Sequence, residues 1–166
     1  MIKRKEVMIL KRVLIIGALD TAAQRYVDDL SHNQQFQLTV YTPSRVRLAE
    51  SIQALTEEVL DEGGLTAAML DQDVVVALVP TIRLTAMVKT LVTAANATGT
   101  RSLMISRTDD IDDLPGEIRM ARQQLAQAQL HYDFITGLGG IGTLLGSTPV
   151  PSEVIPFDPL TGQQAG

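Results

Sequence analysis

Arg12-Val-Leu-Ile-Ile-Gly-Ala-Leu-Asp-Thr-Ala-Ala-Gln-Arg-Tyr-Val-Asp-Asp-Leu30 opens with a short apolar run, Val13 to Ile16, that meets a glycine at Gly17. Behind that glycine, Ala22, Tyr26, Val27 and Leu30 recur at helical spacing and share one face. Strand, tight glycine turn, helix is the order in which doubly wound α/β domains aim a helix N-terminus at a ligand phosphate. The usual glycine fingerprint is nevertheless mostly missing. Counted from Gly17 as the first glycine of a G-x-x-G-x-x-G loop, the second position is Asp20 and the third is Ala23.

Outward from this stretch, five more strand candidates alternate with helical segments. Gln37-Leu-Thr-Val-Tyr-Thr42 alternates and is rich in β-branched residues, whereas Ser51-Ile-Gln-Ala-Leu-Thr56 has little strand propensity of its own. Asp73-Val-Val-Val-Ala-Leu-Val79 is continuously apolar after its first residue, as a central parallel strand buried on both faces should be. Ser102-Leu-Met-Ile-Ser106 and His131-Tyr-Asp-Phe-Ile135 complete the set. Leu84 to Ala95 reads as a helix that ends near Gly99, and Glu117 to Leu130 as another. The pattern predicts one α/β domain with three layers, a doubly wound parallel sheet covered by helices on both faces. The expected division is an N-terminal extension over 1–11, the domain over 12–147, and an extended tail over 148–166 that carries Pro149, Pro151, Pro156 and Pro159. Met8 is an alternative first residue, because the strand begins just after it.

Bulk properties narrow the function. A hydrophobic content of 45% indicates a globular chain, and a net charge of −5 argues against nucleic acid as the main partner. The absence of cysteine excludes disulfides, thiolate metal sites and a cysteine nucleophile, and two histidines are too few for a histidine-rich zinc site. The basic start Met1-Ile-Lys-Arg-Lys-Glu-Val-Met8 is not read as a signal peptide, since Lys11 and Arg12 break the apolar segment behind it. Without an apolar run of about eighteen residues, no membrane span is expected, and the location expected is cytoplasmic.

The second half of the pattern carries a resemblance. Glu57-Glu-Val-Leu-Asp-Glu-Gly-Gly-Leu-Thr-Ala-Ala-Met-Leu-Asp-Gln-Asp-Val-Val-Val76 resembles the segment of atypical short-chain dehydrogenase/reductases in which G-D-V-x-D precedes a short helix and then D-V-V. Leu103-Met-Ile-Ser-Arg107, Asp113-Leu-Pro-Gly116 and Leu130-His-Tyr-Asp-Phe-Ile135 are similar to further segments of the small NAD(P)H-binding, NmrA-like members. The resemblance covers roughly residues 12 to 137. It implies a Rossmann-like sheet of strand order 3-2-1-4-5-6, with a dinucleotide lying across the carboxyl ends of the first, second and fourth strands. Gly17, Leu19, Asp20 and Thr21 would then form the pyrophosphate loop, and Thr42 to Arg45 the ribose or 2′-phosphate site. Glu58 and Val59 would flank adenine, while Leu78, Val79 and Pro80 would line the nicotinamide side. Ser106 would close the fifth strand where the family keeps a serine.

Several residues depart from the family. Asp20 would cap the helix and meet a pyrophosphate with like charge, a repulsion of about 4 kcal/mol at 4 Å and an effective dielectric of 20. The catalytic Tyr-x-x-x-Lys pair is absent, and Arg107 replaces the family's second serine. The chain ends soon after the sixth strand, where longer relatives build a substrate-covering region. Arg45 and Arg47 follow the second strand and no acidic residue ends it, which favours NADP slightly over NAD.

Remaining motifs carry less. Gly137-Leu-Gly-Gly-Ile-Gly142 spells G-x-G-x-x-G, but Pro149 arrives too early for the long helix such a loop should open, so a glycine loop at the cleft mouth is expected. Asp109, Asp110, Asp112 and Asp113 read as a solvated turn without calcium-site spacing. Neither G-x-S-x-G nor a P-loop occurs. The leading expectation is an NAD(P)-binding-type protein with weak or no catalysis that senses nucleotide or binds a partner. Its alternatives are an NAD(P)H-dependent reductase of a flavin, quinone or similar acceptor, and a scaffold that binds no nucleotide. For a homo-oligomer or protein partner, Leu84 to Ala95 is the candidate face, unless it packs on the sheet.

Overall fold

The computed structural model describes residues 10–56 and 61–147. Six strands, β1 (Lys11–Ile16), β2 (Phe36–Thr42), β3 (Gln53–Thr56), β4 (Val74–Val79), β5 (Ser102–Arg107) and β6 (His131–Thr136), form one parallel sheet of order β3-β2-β1-β4-β5-β6. This is the expected order. The helices are α1 (Thr21–Ser31), α2 (Glu62–Met69), α3 (Leu84–Thr98), α4 (Pro115–Gln127) and α5 (Ile141–Ser147), with a 3-10 turn at Thr81–Arg83.

Side-chain alternation sorts the sheet into two cores. Val13 and Ile15 of β1, Val76 of β4 and Met104 of β5 pack with Ala23 and Val27 of α1 and with Ile141 and Leu145 of α5. On the opposite face, Leu14, Val75, Ala77 and Ile105 pack with α2, α3 and α4 through Leu65, Leu91 and Leu125. Because both faces are covered, β4 is buried along its whole length, and that is why its sequence is an unbroken apolar run.

Three expectations are corrected. Ala23, not Ala22, is the small residue of α1 that meets the sheet; Ala22 is exposed, since the helix starts at Thr21 and rotates that position outward. The third strand is confined to Gln53–Thr56, an edge with one partner and little burial. Helix α4 begins at Pro115, whose ring presets the first helical turn, and stops at Gln127 because Ala128 is extended ahead of β6. The open question about Leu84 to Ala95 has a clear answer, for Leu84, Val88, Leu91, Ala94 and Ala95 bury α3 against the sheet.

Helix α5 was not expected from its glycine-rich sequence. Long-range bonds hold both of its ends. Tyr26 Oη accepts the Gly142 amide at 3.0 Å, and the buried Lys11 ammonium donates to the Leu145 carbonyl at 2.6 Å. A cation at carbonyls that lack helical partners is favourable. Burial lowers the Lys11 pKa from its usual value, with nearby Asp73 opposing that shift. The expected 148–166 tail, most of the N-terminal extension, Glu58 and Val59 lie outside the described residues. No helix among the described residues is long and apolar enough to cross a membrane.

Candidate functional site

The carboxyl ends of β1, β4 and β5 converge on a cleft of about 350 Å³, walled by Ala18, Asp20, Leu78, Pro80, Ser106 and Gly137. Gly17 makes this convergence possible. Its φ of +132° is open to glycine alone, and a methyl group there would lie 2.5 Å from the Leu78 carbonyl oxygen. The β1–α1 loop thus rests directly on the β4 backbone.

Asp20 is the N-cap of α1. Its Oδ1 accepts the Ala23 amide at 2.8 Å while the residue also faces the cleft. A second loop amide is engaged from outside the helix, where Leu19 N–H donates to Ser44 Oγ at 3.1 Å. Ser44 is positioned in turn by Thr42, whose fully buried hydroxyl accepts the Ser44 amide at 3.0 Å. Gln24 and Asp28 of α1 accept the amides of Arg47 and Ala49, so the segment after β2 is clamped along the helix. The Ala23 and Leu19 amides at the start of α1 therefore each donate to a side-chain oxygen of the protein itself.

The structure brings Gly17, Asp20, Leu78, Pro80 and Ser106 together around the cleft. Thr21 is exposed at the start of α1, and Leu19 is buried in the α1-side core. Val79 turns its side chain into the core beneath α3, leaving its carbonyl to accept the Thr108 amide at 3.0 Å. Arg45 is exposed beyond the end of β2, away from the cleft walls. Ser106, itself fully buried, donates its hydroxyl to the Gly137 carbonyl, tying β5 to the glycine loop at the cleft mouth.

Sequence reading missed the cluster that shapes the rim. Arg107, at the end of β5, donates from Nε to Thr81 Oγ1 at 3.1 Å and from Nη2 to the Ile111 carbonyl at 2.7 Å. The Thr81 hydroxyl donates to Asp109, which also accepts the Thr81 and Ile111 amides. The Thr81 hydrogen bond is the main reason the Asp109 carboxyl sits below its usual pKa. The cluster locks the turn after β4 to the loop after β5. A charged residue ending a buried strand, two positions before an aspartate, was the available signal. The other three aspartates of this loop are exposed, and no group of metal-ligating side chains occurs among the described residues.

The same arrangement of strands and helices occurs in known proteins. A Rossmann-fold NAD(P)-binding family protein from Shigella flexneri superposes with a TM-score of 0.67 at 22% identity, over 76% of this chain and 66% of that one. The fold is of the Rossmann type. A short-chain dehydrogenase/reductase from Veillonella parvula in complex with NADP gives 0.59 at 18% identity, over 75% and 67% of the two chains. An NADPH-dependent quinone oxidoreductase from Escherichia coli, complexed with NADPH, gives 0.59 at 15% identity, over 74% of this chain and 47% of that one. This chain therefore spans about two thirds or less of the lengths of these three proteins. No protein-family profile and no curated protein sequence matches the chain.

Proposed function

We propose that this protein holds a nicotinamide dinucleotide weakly across the carboxyl ends of β1, β2 and β4 and acts as a nucleotide-sensing or partner-binding module with little or no catalysis. The observation that carries the reading is the Gly17 loop, pressed onto Leu78 beside a cleft that side chains leave open. The solved structures with NADP or NADPH bound share its fold. Weak binding follows from Asp20, whose carboxylate stands where the pyrophosphate would approach. Weak catalysis follows from the missing Tyr-x-x-x-Lys pair, because carbonyl reduction wants a proton donor beside the nicotinamide. NADP is the preferred cofactor, with Arg45 as the cation for its 2′-phosphate.

Titration with NADPH and NADH, followed by nucleotide fluorescence, tests the proposal on the wild type and on Asp20→Gly. Glycine keeps most of the capping stability while removing the carboxylate and freeing the Ala23 amide that it holds. The expected result is measurable wild-type binding that tightens at least about tenfold in Asp20→Gly, within the ~4 kcal/mol limit of the removed repulsion. Absence of binding in both proteins overturns the reading and leaves the scaffold alternative.

A further inference from the structure

A cavity of about 550 Å³ lies at the opposite end of the sheet, between the C-terminus of α3 and the amino ends of β5 and β6. Its polar walls come from Asn96, Thr100, Arg101, Gln129 and His131, and no aspartate or glutamate lines it. That composition stands out in a chain of net charge −5. Arg101 is exposed and forms no ion pair among the described residues, while His131 engages Asp133 at 3.3 Å. The geometry points to a binding site for a small hydroxylated metabolite that carries a carboxylate or a phosphate, with Arg101 as the anchor of the anionic group.

The backbone that presents Arg101 is held on both sides. The Thr100 amide donates to the Ala95 carbonyl at 3.0 Å, and the Arg101 carbonyl accepts the His131 amide at 2.8 Å. Gly99, in the left-handed region at φ +76°, turns the chain sharply out of α3 so that this short segment can reach β5. A helix C-terminus would by itself repel an anion. Here the Ala94 carbonyl accepts the Thr98 hydroxyl and that of Ala95 the amides of Gly99 and Thr100, and the Arg101 guanidinium just beyond this end is the charge that offsets its negative pole. A guanidinium gives an oxyanion two parallel donors, and the Asn96 and Gln129 amides offer donors and acceptors to hydroxyl groups. The volume falls within the range of small-ligand sites.

Amide-resolved NMR titration of the full chain tests the site with glycerol 3-phosphate and glycerate as the two anionic probes and glycerol as the neutral control. Saturable shifts of the Gly99, Arg101 and Leu130 amides with an anionic probe, without shifts at Gly17 or Asp20, are expected. Whichever anionic probe binds more tightly identifies the head group. In Arg101→Gln, an exposed substitution, affinity should fall about tenfold or more with the spectrum otherwise retained. Shifts that do not saturate at millimolar probe, that persist unchanged in Arg101→Gln, that glycerol reproduces, or that centre on the Gly17 loop overturn the proposal. None of these outcomes depends on dinucleotide binding at the other end of the sheet.

Discussion

Ser44 Oγ accepts the Leu19 amide across 3.1 Å, joining the loop that leaves β1 to the segment that leaves β2. Leu19 is buried, so its amide would lose this partner with little water to replace it. Ser44→Ala should lower stability by about 1 kcal/mol and speed hydrogen exchange at Leu19. Urea unfolding and amide exchange measure both. Unaltered Leu19 exchange would show that the hydroxyl does not protect it.

Gly17→Ala should be far more damaging. The new methyl would collide with the Leu78 backbone, and alanine does not tolerate the required φ. A loss of about 2–4 kcal/mol is expected in denaturant unfolding. A loss below about 0.5 kcal/mol would mean that the loop relaxes away from β4 without penalty.

Asp20 has two separable roles, cap and charge. Asp20→Ala removes the acceptor of the Ala23 amide and should cost about 1 kcal/mol, whereas Asp20→Asn keeps an acceptor and should stay within about 0.5 kcal/mol of the wild type. Thermal unfolding of the pair decides the matter. Equal destabilisation by both would reject the capping role.

Tyr26→Phe deletes the acceptor of the Gly142 amide and should loosen α5 selectively. About 1 kcal/mol of stability should be lost, with faster exchange in 141–147 than in α3. Uniform loss of protection across both helices would contradict a local role.

Asp109 carries a pH signature. Its native pKa is lowered, so its stabilising contribution is fully present above the unfolded carboxylate value of about 4 and is lost as pH falls through the lower native value. Asp109→Asn should therefore be less stable than the wild type near neutral pH, and the two should converge in acid. Urea midpoints across that range test this, and a gap that does not narrow in acid would refute it.

The legibility of the fold followed burial. Val74–Val79 was readable because a strand covered on both faces is apolar throughout, and Gly99 ended α3 where a left-handed residue was needed. Gln53–Thr56 was weak in sequence for the complementary reason: it is an exposed edge that derives its conformation from pairing with β2. Gly17 and Asp20 were legible as a glycine turn and a helix cap, whereas Leu78, Pro80 and Ser106 were singled out through the family resemblance and lie with them around one cleft. Ser44 was not legible, since its partner Leu19 is 25 residues away.

From sequence alone came the α/β class, the alternation of strands and helices, the glycine turn at Gly17 and the capping potential of Asp20. All of these depend on local periodicity, backbone permissiveness or short-range hydrogen bonding. Tertiary structure alone decided that the Ser44 hydroxyl meets the Leu19 amide, that Arg107, Thr81 and Asp109 lock the rim, and that Tyr26 and Lys11 bond near the two ends of α5. It also placed Arg101 at a polar cavity remote from the cleft. Each of these is a contact between segments distant in the chain, and its geometry exists only once hydrophobic burial has stacked the helices on the sheet.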